Sequence, residues 1–154
     1  PEEFTTLASF YLYKKNPAMS AKVLENAITD DQILFDSKNA KLLSDSWLFA
    51  KERIKSLDVI EESLSMNPNE EKLVNQYVNI AFSAFEWKEV INGIRKAEKI
   101  GIEDDGKHDL MIGIAFFETK DLKNAEDSFI KASKSKKYAD QGKAWLEYLN
   151  ALKA

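Results

Sequence analysis

The one histidine of this chain, His108, stands beside Asp104, Asp105 and Asp109. A histidine among carboxylates is the beginning of a metal site or of an acid–base pair. A zinc site needs further imidazole or thiolate ligands, and the chain has no second histidine and no cysteine. The acidic spacing also misses that of a calcium loop. His108 is therefore expected to be a solvated residue at a helix start. Paired carboxylates recur at Glu2-Glu3, Glu61-Glu62, Glu70-Glu71 and Asp104-Asp105. A glycosidase sets two carboxylates across a cleft, whereas adjacent residues on a helix point about 100° apart and do not face one another. These pairs read as solvated faces. The 5 glycines form no phosphate-wrapping or serine-presenting pattern. No catalytic residue, no cofactor site and no metal site is expected.

The lysines Lys131, Lys134, Lys136, Lys137 and Lys143 form a basic stretch that reads as the solvated outer face of the last helices. Composition then limits the elements that carry these residues. The 154 residues are 44% apolar and 31% charged with only 3 prolines, which is a helix-rich globular composition with enough apolar surface for a core. A net charge of -4 argues against a partner bound through its phosphate backbone, so no nucleic acid is expected. The longest apolar run, Met111 to Phe117, falls far short of the roughly 20 residues that cross a bilayer, so no membrane span is expected. The lack of cysteine suits a cytosolic and a periplasmic setting equally. Opening at Pro1 without a leader, the chain reads as a segment of a longer protein whose parent could carry a signal peptide.

Internal repeats organise the whole sequence. Units begin at Pro1, Ser37, Glu71 and Gly106, with offsets of 36, 34 and 35 residues. Position 8 of each unit reads Ala8, Ser44, Val78 and Gly113; position 20 reads Ser20, Ser56, Val90 and Ala125; position 27 reads Ala27, Ser63, Ala97 and Ala132. Ten of these twelve are Gly, Ala or Ser, where a composition of 33 such residues in 154 would place between two and three by chance. Larger apolar residues recur in register too, as in Tyr11, Trp47 and Phe116, and in Leu24, Ile60, Ile94 and Phe129.

This pattern resembles the tetratricopeptide repeat (TPR) over nearly the full chain. The resemblance implies an all-α fold, a right-handed superhelical TPR solenoid of helix-turn-helix pairs with a C-terminal capping helix, forming a single array over residues 1–154. In that family the small positions mark where paired helices cross closely. Local signals set the helix ends: Asn16-Pro17, Asn67-Pro68, the N-cap Asp121, and the glycines Gly101 and Gly106 around a turn. Helices are predicted over about 3–14, 17–29, 37–50, 53–66, 70–84, 87–100, 107–119, 122–135 and 138–152, with no strand. The ninth is expected to cap the array, with Trp145, Tyr148 and Leu152 inward and Lys143, Glu147 and Lys153 in water. The first unit shows less sign of such a cap, and Phe4, Leu7 and Tyr11 are expected to meet an upstream repeat.

In TPR arrays the concave face is formed by positions 2, 5, 9, 12 and 13 of each first helix. The resemblance places there Leu12 and Tyr13, then Lys38, Lys41, Asp45, Leu48 and Phe49, then Lys72, Asn75, Asn79 and Phe82, then Lys107, Leu110, Ile114 and Phe117. The expected peptide-binding groove is Tyr13, Lys41, Asp45, Phe49, Asn75, Asn79, Phe82, Leu110, Ile114 and Phe117. Its apolar side chains suit a protein or peptide partner, and Asn75 and Asn79 suit a peptide backbone. Chaperone-docking TPR proteins hold a C-terminal carboxylate with a clamp of Lys and Asn. Here Lys41 is followed by Asp45 in place of Asn, Gln76 replaces a second Asn, and Lys107 is followed by Met111 in place of Arg or Lys. An acidic residue in the clamp repels its ligand, so the chaperone-cofactor reading is rejected.

Residues 7–28, 44–64 and 107–149 further resemble the C-terminal repeats of gammaproteobacterial TPR proteins encoded beside TonB, ExbB and ExbD. The telling parts are Phe10-Tyr11-Leu12-Tyr13 before a Lys22-Val23-Leu24-Glu25 helix, and the closing run from Ala132 to Leu149, which ends in a Trp145-Leu146-Glu147-Tyr148-Leu149 helix. This resemblance implies a periplasmic accessory of a TonB-dependent transport system, associated with components of the TonB complex. The expected function is that of a non-enzymatic protein–protein interaction scaffold. A regulatory or substrate-binding TPR domain of a larger envelope enzyme is the alternative.

Overall fold

A computed structural model describes all 154 residues. The chain is all helical, with nine helices: α1 Glu2–Tyr13, α2 Pro17–Thr29, α3 Ser37–Phe49, α4 Arg53–Met66, α5 Glu71–Ser83, α6 Trp87–Lys99, α7 Lys107–Glu118, α8 Leu122–Ser133 and α9 Ala139–Lys153. It divides into two compact units, Pro1–Ala84 with α1 to α5 and Phe85–Ala154 with α6 to α9. Within each unit consecutive helices pack on one another. Val78 and Val90, the two departures from the small-residue pattern, fall on either side of this division.

The turns inside the sequence units share one conformation. Lys15, Lys51, Phe85 and Lys120 each occupy position 15 of their unit, and each is left-handed, with φ of 57°, 65°, 59° and 65°. After α1, α3 and α7 the next residue closes the helix end: the N–H groups of Asn16, Glu52 and Asp121 donate to the carbonyls of Tyr11, Trp47 and Phe116 at 2.8, 2.9 and 2.8 Å. This bond from C″ back to C3 satisfies a carbonyl that a helix end otherwise leaves orphaned. New helices then start from side-chain caps, with Asn16 accepting from the Met19 N–H at 3.3 Å, Asp36 from Asn39 at 2.8 Å and Asp121 from Asn124 at 3.2 Å.

All twelve small-pattern positions are buried. In the first unit the core gathers Ala8, Leu24, Ala27, Leu43 and Trp47, and serines stitch the crossings. The hydroxyls of Ser44 and Ser56 lie 2.8 Å apart across α3 and α4, each also within 3.0 Å of the other's carbonyl oxygen. Ser46 donates to the Leu42 carbonyl at 2.8 Å, so in its 2.9 Å contact with Ser20 of α2 the Ser20 hydroxyl is the donor. Only Ser63 breaks this pattern: its Oγ is buried without a partner.

In the second unit Phe129 is completely buried, and the Trp145 ring stacks on it with centroids 5.1 Å apart and planes 9° from parallel. The capping helix presents a different face from the one expected. Its buried residues are Gly142 and Leu149, with Trp145 half-buried beside them, while Tyr148 and Leu152 are 49% and 53% exposed. The cause is Gly142, where an added Cβ would stand 2.5 Å from the Ser133 nitrogen. That approach seats α9 on the backbone at the end of α8 and turns Leu149 inward. The N-terminal expectation shifts similarly. Phe4 packs against the core of its own unit, whereas Leu7, Phe10 and Tyr13 are the exposed large apolar residues of α1.

Candidate peptide-binding groove

Ser37, Lys38, Lys41, Asp45 and Leu48 follow helical spacing along one side of α3, and Lys72, Leu73, Gln76, Asn79 and Ile80 do so along α5. Together with Arg53 and Glu70 they line an open groove of about 930 Å³ within the first unit. Leu73 and Ile80 are almost completely buried, and with the half-buried Leu48 they form an apolar floor.

Two hydrogen bonds span the groove. The Ser37 hydroxyl donates to Glu70 Oε2 at 2.6 Å, and Gln76 Nε2 donates to Asp45 Oδ1 at 3.1 Å. The other Asp45 oxygen pairs with Lys41 Nζ at 2.6 Å, so both of its oxygens are occupied. Such ties fix the separation of the two helices before any ligand arrives.

Of the expected groove residues, the structure brings Lys41, Asp45 and Asn79 together here. Asn75 and Phe82 are half-buried on α5 outside this lining. Tyr13 is 80% exposed, with Lys14 Nζ 5.6 Å from its ring centroid, and Phe49 is 68% exposed; neither lines the groove. Leu110, Ile114 and Phe117 lie half-buried on α7 in the second unit. The Phe117 ring packs against Trp145 and Tyr148 of α9, at centroid distances of 5.3 and 5.7 Å. Sequence reasoning missed Ser37, Arg53 and Glu70. Ser37 and Glu70 sit at helix starts, and Arg53 opens a second helix, so none carries the positional signature of a concave residue. Gln76 carried a signal as a clamp position.

A smaller cleft of about 450 Å³ in the second unit is lined by Arg95, Asp109, Phe116, Asp127 and Lys131 among others. Burial pushes the Asp109 carboxyl above its ordinary value, with Asp104 and Glu98 adding to the effect and Lys131 and His108 opposing it. His108 is not the solvated residue expected. Its side chain is 13% exposed, and Nδ1 lies 3.1 Å from Asp104 Oδ2. Asp104 also accepts the Gly106 N–H at 3.0 Å and the His108 N–H at 2.8 Å, so the pair caps the start of α7. The Asp121 carboxyl, bonded by the side chain and backbone of Asn124, is held below its ordinary value.

Neither a known protein family nor a curated protein matches this sequence. Solved structures do match. MamA from Desulfovibrio magneticus RS-1, from residue 41 to its end, superposes with a TM-score of 0.75 at 12% identity, covering 99% of this chain and 84% of that one. A double mutant of MamA RS-1 gives a TM-score of 0.76 at 12% identity over the same shares. MamA MSR-1 gives 0.66 at 14% identity, covering 98% and 77%. These are TPR-like helical proteins. The chain has a TPR-type fold. At such identities the likeness establishes the arrangement of helix pairs and leaves chemistry to the residues.

Proposed function

We propose that this chain is a protein-interaction scaffold, non-enzymatic, which receives an extended segment of a partner protein along the groove between α3 and α5. The observation that carries this reading is the groove's construction. An apolar floor of Leu48, Leu73 and Ile80 lies between polar walls, and the Ser37–Glu70 and Asp45–Gln76 bonds hold those walls in place. A pre-set groove spares a ligand the expense of ordering it, and the mix of apolar floor and polar wall matches a peptide's alternating side chains and backbone groups. Lys41, Asp45 and Asn79 stand in its walls. The TPR-type fold supports the same reading, since stacked helix pairs supply extended binding surfaces.

Selection of binders from a displayed library of random segments tests it. Enriched segments should lose binding to a Leu48→Glu variant whose helical circular dichroism is unchanged, and keep it with a Glu61→Ala variant on the exposed side of α4. Failure to enrich any segment, or equal binding to Leu48→Glu, removes the groove as the binding site.

A narrower assignment, to periplasmic accessories of TonB-dependent transport, is supported by the sequence resemblance of residues 7–28, 44–64 and 107–149. The fold comparisons add nothing to it. Recovery of TonB, ExbB or ExbD with the tagged protein from envelope extracts would bear it out, and residence of the protein in the cytosol would rule it out.

A further inference from the structure

We propose that the α3–α5 groove selects a short extended protein segment in which acidic side chains flank apolar ones. This rests on the scaffold reading and adds the chemistry of the partner.

The charge balance of the groove opposes that of the chain. The whole chain carries -4, yet the groove is lined by Lys38, Lys41, Arg53 and Lys72 against Asp45 and Glu70. Both carboxylates are already engaged. Asp45 is bound by Lys41 and Gln76, and Glu70 accepts from Ser37. Lys38, Arg53 and Lys72 make no ion pair with any carboxylate of the chain.

The three cations are also spaced along the groove. Lys38 and Lys72 are each the second residue of a helix, α3 and α5, and so stand at helix starts on the groove's two sides. Arg53 stands beyond the other end of α3. From Lys38 to Leu48 the helix advances about 15 Å, a length that takes roughly five residues of extended chain. An extended segment with acidic residues at its ends therefore meets cations at both ends of the groove, while its middle residues lie over Leu48, Leu73 and Ile80.

Other ligands fit less well. A uniformly anionic chain such as a nucleic acid would set phosphates against Asp45 and Glu70 and gain nothing from the apolar floor. An uncharged apolar segment would take water from three cations and pair none of them. The proposal also differs from a C-terminal carboxylate clamp, because Lys41 and Gln76 are spent on Asp45, and the acidic groups it needs are side chains.

The probe is a fluorescein-labelled peptide, Glu-Asp-Leu-Leu-Asp-Glu, with both termini blocked, compared by fluorescence anisotropy with its Gln/Asn and Lys analogues on the full chain. The acidic probe should bind roughly tenfold more tightly than the Gln/Asn analogue at low salt, and the preference should shrink as salt is raised. A Lys38→Glu/Lys72→Glu variant should lose the preference and keep its fold, because acidic residues in a first helical turn favour the helix. Arg53→Glu should weaken the acidic probe independently of these two.

Equal binding of the acidic and neutral probes, with both lost in Leu48→Glu, would overturn the acidic preference and leave the scaffold reading standing. An acidic probe held equally well by Lys38→Glu/Lys72→Glu overturns the proposal by moving recognition elsewhere. Absence of binding by the acidic probe overturns it too, and the library selection decides the scaffold reading by itself.

Discussion

The backbone of Gly113 in α7 lies directly against the ring of Phe129 in α8, so that a Cβ placed there would stand 2.5 Å from Cε1 and 2.6 Å from Cδ1. Phe129 cannot retreat, being wholly buried and stacked on Trp145. Gly113→Ala gains about 1 kcal/mol of helix propensity and still should destabilise the chain by about 1 to 3 kcal/mol through overpacking. Combining it with Phe129→Leu should recover part of that loss. Urea denaturation of the two variants decides it, and a neutral Gly113→Ala would mean that the helices separate freely.

Buried serines should split in sign. Ser63 Oγ has no partner, and the other units carry alanine at this position, so Ser63→Ala should stabilise by about 1 kcal/mol. Ser56 donates to the Ser44 carbonyl and lies against the Ser44 hydroxyl, so Ser56→Ala should destabilise by about 1 kcal/mol. Denaturation midpoints measured side by side would show the opposite shifts.

Left-handed lysines offer a gain. An L-residue in this conformation costs about 1 to 2 kcal/mol, of which glycine's greater unfolded-state freedom takes back part. Lys51→Gly and Lys120→Gly should each raise stability by about 0.5 to 1 kcal/mol, visible as a higher melting temperature. Phe85→Gly should gain less, because it gives up the ring contact with Trp87 at 5.6 Å.

Asp109 should make stability depend on pH. Its folded pKa is raised, so between the ordinary value of 3.8 and the raised one the folded chain binds more protons than the unfolded chain. Stability contributed by this group therefore falls as pH rises through that window. Asp109→Asn should be more stable than the parent at neutral pH, and the difference should close as pH falls below 3.8. Denaturant titrations across that range measure the gap, and a gap independent of pH would contradict the assignment.

The helices were legible in the sequence because period, proline and cap residues all point the same way; each observed end lies within two residues of its expected place. The close crossings were legible as well, since ten of their twelve positions carry Gly, Ala or Ser. The rotation of α9 was not, because Trp145, Tyr148, Leu149 and Leu152 offer two overlapping apolar stripes and the choice depends on Gly142 meeting the backbone at the end of the preceding helix. The groove was half legible. Repeat register located Lys41, Asp45 and Asn79, while Ser37, Glu70 and Arg53 enter through helix ends, where register says nothing about direction. Asp104 and His108 looked solvated for a related reason, since no local pattern foretells that a carboxylate caps a helix and holds a ring at once.

The seating of α9 rests on a position that tolerates nothing beyond a hydrogen atom. Any side chain at Gly142 meets the main chain of Ala132 and Ser133, which has no rotamer to change. A single base change at that codon would thus lift the terminal helix and bare Phe117 and Phe129 together with Trp145. Adjacent exposed aromatic rings of this kind attract other molecules, so the consequence would be self-association and faster proteolytic turnover, in a protein whose groove between α3 and α5 is untouched.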